Sequence, residues 1–403
     1  LGLSAMGGIL FLGGGSTVTI AQRMFEGMNS FALLAIPLYT FAGFTMSKGG
    51  ISKRLMDFCY SIVGHIYGGL AHVNVLSSMI FAGISGSAVA DTAGVSGMFM
   101  PEMVRKGYSK NFTVAVTAIS STIGIIIPPS IPMVVIAGIC GISTGKLFLG
   151  GIIPGVLCGL AQMIVSYFMA KKEGVPKEPG HFTIGPVLHG LWESWPALLM
   201  PIIIVGTITM GIVSPTEAGV IAVVYGLFAG GIIYRELKWE DIKFAFAETV
   251  RTSGRIFIVI GAAKLYTVML TTAGFDKWVA KTMLGFSTNP TVILIVILLI
   301  FFIVTMFMES IATLTLFMPI LYPIALGVGI NPIVLSVLIT VVIGVGLVTP
   351  PVGMCIYVAC DLMDVTVGEV FPTLVPFIAA TFVCIALMVA FPQLILLPTY
   401  LMA

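Results

Sequence analysis

SIATLTLFMPILYPIALGVGINPIVLSVLITVVIGVGLVTPPVGMCIYVAC, residues 310–360, runs for 51 residues without one Asp, Glu, Lys or Arg. A helix that crosses the apolar core of a bilayer needs about 20 residues, so this stretch is too long for one span. It is also interrupted by Pro319, Pro323, Pro332, Pro350 and Pro351, each of which removes a backbone donor. Its apolar residues run on without alternating, which is the pattern of membrane helices rather than barrel strands. The expectation is an all-α integral membrane protein containing short and broken helices.

The rest of the chain agrees. Of 403 residues, 58% are hydrophobic and 9% are Asp, Glu, Lys or Arg, with a mean hydropathy of +1.12. Soluble domains carry about 25% charged residues, so a soluble enzyme, a nucleic-acid binder and a disordered chain are all excluded. A net charge of +2 calls for no acidic polymer as partner. The six cysteines lie in apolar stretches without a C-x-x-C pair and read as small hydrophobes. The four histidines, at 65, 72, 181 and 189, have no metal-ligand spacing. Leu1 opens inside an apolar run with no charged segment before it, which reads as the end of a truncated first span.

Five segments follow. Residues 1–69 hold a first span, a polar stretch at 17–29, a span at 30–47 and an interfacial arm helix at 53–68. Residues 70–142 hold a hairpin of two apolar halves around Ser85-Gly86-Ser87, then a helix broken at Pro128-Pro129. Residues 143–289 hold a span at 144–170, a polar linker at 171–190, spans at 195–213, 216–234 and 253–272, an amphipathic stretch at 236–251 and an interfacial arm at 273–289. Residues 290–362 repeat the hairpin, around Glu309-Ser310, and the broken helix, at Thr349-Pro350-Pro351. Residues 363–403 close the chain.

Two of these segments share a layout. Met100-Pro101 is followed 27 residues later by Pro128-Pro129, and Met318-Pro319 is followed 31 residues later by Pro350-Pro351; each double proline has a further proline 26 residues on. If loops 48–54, 105–110, 171–177 and 235–251 are cytoplasmic, they hold 13 of the 19 Lys and Arg residues, as the positive-inside rule requires. The first hairpin then enters from the cytoplasm and the second from the opposite side. Two inverted repeats, each with a re-entrant hairpin and a broken helix, are a transporter layout.

The chemistry gathers where the helices stop. Non-helical backbone at membrane depth survives only when it is buried in protein or lines a cavity, and it offers carbonyls and hydroxyls suited to a small cation. The tip Ser85-Gly86-Ser87 with the break from Gly124 to Pro128 can form one sodium site. The tip Ser310-Ile311-Ala312-Thr313 with Gly346, Val348 and Thr349 can form the other. Close helix packing is the plainer reading of such small residues. Asp91, Glu217, Arg255, Lys264 and Glu309 are ionisable groups in or near apolar segments, costly if left bare in lipid. Ser87, Asp91, Arg255 and Glu309 are the candidates to meet an anionic substrate. Glu217, after Ser214-Pro215-Thr216, reads equally as a helix-start acid, and Lys264 as a snorkelling side chain. Gly83-Ile84-Ser85-Gly86 fits the pattern of intramembrane serine proteases but lacks an obvious histidine base. Thr216-Glu217-Ala218-Gly219 is loosely similar to the docking loop of ATP-driven permeases, yet no Walker A motif is present.

Several stretches resemble the large membrane subunit of tripartite ATP-independent periplasmic (TRAP) transporters. They are residues 84–92 (ISGSAVADT), 126–132 (IIPPSIP), 146–155 (KLFLGGIIPG), 215–218 (PTEA) and 349–353 (TPPVG). The resemblance covers essentially the whole chain. It implies a non-enzymatic, sodium-coupled secondary transporter in the bacterial inner membrane. The implied fold is like that of divalent-anion/sodium symporters and works as an elevator, with two or more Na⁺ as coupling ions held at the tips and breaks named above. The implied partners are a small membrane (Q) subunit, separate or fused, and a periplasmic substrate-binding protein. The substrate is an organic acid, with sialic acid the first candidate and C4-dicarboxylates the alternative. A sodium-independent facilitator would share the same hairpins.

Overall fold

The computed structural model describes residues 2–12, 16–175 and 183–402. Among these the chain is helical throughout and forms no strand. In order, the helices are α1 (Gly2–Leu12), α2 (Thr17–Met28), α3 (Ala35–Lys48), α4 (Ile51–Val63), α5 (Gly69–Ser85), α6 (Ala88–Arg105), α7 (Lys110–Ser121), α8 (Ile131–Cys140), α9 (Thr144–Glu173), α10 (Ile184–Thr209), α11 (Pro215–Phe228), α12 (Trp239–Thr272), α13 (Phe275–Phe286), α14 (Pro290–Thr305), α15 (Ser310–Gly327), α16 (Pro332–Gly346), α17 (Met354–Met363), α18 (Val367–Ala390) and α19 (Gln393–Leu396). Among the described residues, seven helical stretches are long and apolar enough to cross a membrane: those starting at Phe31, Thr144, Ile184, Pro215, Trp239, Ser310 and Val367.

The helices begin where the local sequence prepares them. Asn289 and Asn331 accept from backbone N–H groups two residues on, each at 2.9 Å, and a proline follows at the first helical position. Ser109, Ser130 and Ser143 cap α7, α8 and α9 in the same manner. Such caps satisfy donors that no helical carbonyl can reach.

The core is built on α7 and α16. Residues 112–121 and 333–346 are buried on every face, so these apolar helices are enclosed by protein rather than lipid. α18 and α9 pack around them, α5 and α6 lie against α7, and α14 lies against α16. α12 crosses the other side, in contact with α1, α2, α3 and α15. The end of α3 and the start of α4 are fastened to α12 and the turn before it: Arg54 pairs with Glu236 at 2.7 Å and stacks 4.2 Å over the Tyr234 ring, and Lys48 sits 4.8 Å over the Phe244 ring of α12.

Three helix breaks fall where the prolines and small residues placed them, at Gly86-Ser87, 122–130 and 347–353, but the second tip falls at 306–309, Met-Phe-Met-Glu, and the residues expected to form it, 310–313, are the first turn of α15. Three boundaries differ. The amphipathic stretch 236–251 and the span 253–272 are one helix, α12, 34 residues long. The linker expected over 171–190 shrinks, because α9 runs to Glu173 and α10 begins at Ile184; 176–182, with His181, lie outside the described residues. The polar stretch 17–29 is helix α2, capped by Ser16, whose apolar side covers α12.

Candidate functional site

At the first tip the chain reverses over Gly86 and Ser87. Gly86 sits at φ +66°, where a side chain is strained, and an added Cβ would lie 2.7 Å from the Pro129 carbonyl oxygen. The Gly86 carbonyl accepts from the Ile131 N–H at 3.2 Å, which ties the tip to the chain just past the double proline. Pro128 lies on the α5 side of that break, its carbonyl oxygen facing Gly83.

Behind this tip Asp91 is fully buried in the first turn of α6. Ser85 Oγ donates to its Oδ1, and the Ser87 N–H donates to Ser85 Oγ at 3.3 Å. Asp91 Oδ2 has no hydrogen-bond partner among the described residues. It faces Gly124, where an added Cβ would overlap it and would come 3.5 Å from the Ser87 carbonyl oxygen. Gly124 belongs to a 3-10 turn, Thr122–Ile125, closed from beyond the break by Ser130 Oγ donating to the Ile125 carbonyl at 2.5 Å. Thus Ser85, the Ser87 backbone and Gly124 lie about a buried carboxylate, one oxygen of which lacks a donor. Such an oxygen is costly to bury unless something neutralises it. Hydroxyls, carbonyls and one carboxylate are hard oxygen donors of the kind that hold s-block cations. Among the described residues no group of three His, Cys, Asp or Glu offers a transition-metal site.

The second tip is organised by Glu309. Its Oε2 accepts from the N–H groups of Ile311 (2.8 Å) and Ala312 (3.1 Å), Ser310 Oγ donates to its Oε1 (2.7 Å), and Thr313 Oγ1 donates to its backbone carbonyl (3.0 Å). The carboxylate therefore fills the amide nest at the start of α15. Here too the tip is tied to its break: the Val352 N–H donates to the Met306 carbonyl at 2.9 Å. Gly346 lets α16 approach α14, since an added Cβ would lie 2.7 Å from Thr305 Cβ. Thr349 Oγ1 donates to the Val345 carbonyl at 2.7 Å, and the Thr349 N–H to the Gly346 carbonyl at 3.1 Å. Val348 is buried in the same turn.

Both tips open on one central cavity of about 240 Å³. Gly86 and Ser87 line it from the first half, Glu309 and Ser310 from the second, and Arg255 and Thr252 from α12. The breaks contribute Ile125 and Leu347. Ser87, Arg255 and Glu309 are therefore brought together. Asp91 does not line this cavity; it lies beneath the first tip. Thr313, Gly346, Val348 and Thr349 stand behind the second tip. Thr252 was missed, although its place three residues before Arg255 sets both on one helix face.

The competing motifs resolve differently. Ser85 Oγ donates to Asp91, while the His72 ring meets the Tyr67 carbonyl and His189 pairs with Glu193. Glu217 closes a capping box with Ser214: the Ser214 N–H donates to Glu217 Oε2 at 2.7 Å and the Glu217 N–H to Ser214 Oγ at 3.3 Å. Lys264 lies on α12 beside α2, away from the central cavity.

An all-helical, multi-pass membrane protein with two broken halves closing on one cavity is the architecture of a membrane transporter. The overall fold matches the crystal structure of the Alcanivorax borkumensis YdaH transporter with a TM-score of 0.62 at 12% identity, over 94% of this chain and 88% of that one. The family model of the tripartite ATP-independent periplasmic transporter, DctM component, matches residues 1–394, and the chain belongs to that family. It is accordingly a multi-pass protein of the bacterial inner membrane. It is 36% identical to the isethionate TRAP transporter permease DctMQ of Oleidesulfovibrio alaskensis over 94% of this chain, spanning 60% of that protein's length. It is 36% identical to the sialic acid TRAP transporter large permease SiaM of Vibrio cholerae over 94% of this chain and 88% of the relative. It is 34% identical to the C4-dicarboxylate TRAP transporter large permease DctM of Pseudomonas aeruginosa, over 100% of this chain and 94% of the relative.

Proposed function

We propose that this chain is the large permease subunit of a sodium-coupled secondary transporter that takes up an organic acid anion, with sialic acid the first candidate. A periplasmic binding protein delivers the substrate, and a small membrane subunit completes the permease. The observation that carries this reading is the convergence of both hairpin tips, both helix breaks and Arg255 on one cavity. Ser85, Gly86, Ser87, Gly124 and Pro128, with Asp91 Oδ2 as the unsatisfied acceptor, form the first sodium site. Ser310, Thr313, Gly346, Val348 and Thr349 form the second. Arg255 and Ser87 receive the substrate carboxylate from opposite walls.

Coupling follows from charge. Without sodium, Glu309 in the cavity wall and Asp91 beneath the first tip set acidic groups against Arg255 and disfavour an anion. Filling the sodium sites reverses that balance, so substrate binds well only to the loaded form. The two inverted halves, residues 70–142 and 290–362, then move as an elevator against 1–69, 143–289 and 363–403.

The test is uptake into liposomes holding the large and small subunits, with binding protein outside and an inward sodium gradient. Sialic acid uptake that needs both sodium and the binding protein supports the whole reading. Sodium-driven uptake of a C4-dicarboxylate instead changes only the substrate. Uptake indifferent to sodium refutes both sodium sites and leaves a facilitator.

A further inference from the structure

A second cavity, of about 170 Å³, lies beside the central one along the same packed seam. The face of α8 that carries Ile131 and Pro132 into the central cavity carries Val135 and Gly138 into this one. The face of α15 continues likewise from Ile311 to Thr315. α12 serves both cavities, with Arg255 at the central one and Lys264 at the other. Nine residues of helix put the two cations about 13 Å apart along the axis, too far for one carboxylate to touch both. The second cavity lies toward the start of α3 and the end of α12, away from the Lys- and Arg-rich ends of those helices, and so toward the periplasm by the positive-inside rule.

Its electrostatics are lopsided. Glu26 and Lys264 are the ionisable side chains in its lining. Glu26 already pairs with Arg23 at 2.9 Å. Lys264 has no hydrogen bond or ion pair among the described residues. Arg23, Glu26 and Lys264 together leave one positive charge beside the Ser30 hydroxyl. The space is kept by small residues: an added Cβ on Gly27 would come 2.7 Å from Lys264 Cβ.

We propose that this outer cavity is a second anion station, in which Lys264 holds the carboxylate of the substrate before it reaches Arg255. The station rests on the organic-acid reading above but makes its own demand on the potential at Lys264. A cation meets only the Glu26 carboxylate, already paired with Arg23, whereas a carboxylate meets an unopposed ammonium and a hydroxyl. A lysine that merely snorkels to the interface would leave the cavity without this bias.

Ser30→Cys places a thiol in the cavity at a residue that makes no side-chain cap bond. The full permease carrying S30C, in liposomes, is treated with a negatively charged sulfonatoethyl methanethiosulfonate and with its positively charged trimethylammonium counterpart. Each rate is normalised to that of a small free thiol, and the chain without S30C gives the background of its six native cysteines. The anionic reagent is expected to be favoured about tenfold, as a unit charge within a few ångströms in a partly aqueous cavity dictates. That preference should vanish in S30C/K264Q and persist in S30C/K264R. Equal rates, or a preference that survives K264Q, overturn the station. In uptake, K264Q should raise the half-saturating substrate concentration about tenfold with the maximal rate kept; an unchanged half-saturation also overturns it. The labelling comparison involves no transport, so its failure is distinct from an absence of sodium-driven uptake, which would refute the organic-acid reading itself.

Discussion

Gly124→Ala is the sharpest test of the first sodium site. The added methyl would overlap Asp91 Oδ2, so the carboxylate must move or the turn Thr122–Ile125 must shift. Asp91 is fully buried and held by Ser85, which leaves it little room. Overpacking of this kind costs about 1–3 kcal/mol. If the same oxygen holds sodium, the displacement also weakens the ion. Since about 1.4 kcal/mol is tenfold in affinity, sodium half-activation should rise by about ten- to a hundredfold. The assay is the thermal stabilisation of the purified permease by NaCl over KCl at constant ionic strength, because an ion that binds only the folded form raises the midpoint. Gly206→Ala is the control: nothing lies within 4 Å of its added Cβ, and it sits inside α10, so alanine should stabilise by about 0.5–1 kcal/mol. An unchanged sodium titration in Gly124→Ala, with the protein folded, would refute the assignment of Asp91 and Gly124 to a sodium site.

Further expectations concern the tips. Ser87→Ala should weaken sodium activation severalfold while leaving the affinity for the binding protein unchanged, which titration of the docked protein against the permease checks. Glu309→Ala strips the acceptor from Ile311 and Ala312 and should lower stability by about 1–2 kcal/mol, whereas Glu309→Gln keeps an acceptor and should lose less; their melting midpoints give the comparison. Gly346→Val would drive a side chain into Thr305 and should destabilise the second sodium site more than the first, seen as a sodium titration reduced to one phase. Arg255→Gln should raise the substrate concentration for half-maximal uptake tenfold or more with sodium affinity retained, and an unaltered substrate dependence would remove Arg255 from the site.

Three of the helix breaks were legible because proline, glycine and serine act locally: a double proline cannot donate, and Gly86 at φ +66° needs no partner to explain it; the second tip, set by the Glu309 cap just before α15, was not. Nor were the boundaries of α10 and α12. Hydropathy marks where a helix enters water, not where it ends, and the charges at Glu248, Arg251 and Arg255 lie along one continuous helix without ending it. The pairing of Asp91 with Gly124 could not be read either. It depends on two residues 33 positions apart meeting after α6 and α7 have folded back on each other. Likewise, that Arg255 faces both tips is a property of how α12 crosses the molecule, and nothing near residue 255 announces it.

Each tip is bonded to its own break: Ile131 N–H to the Gly86 carbonyl, and Val352 N–H to the Met306 carbonyl. A hairpin that swung open like a door would first have to surrender these bonds, at about 1–3 kcal/mol for each group left without a partner. It would also pull one wall from a proposed cation site, so the lock would open with the door. Displacing hairpin and break as one rigid piece breaks neither bond. The fold thus stiffens the hinge that a gate would need and binds each hairpin to its own break as one piece.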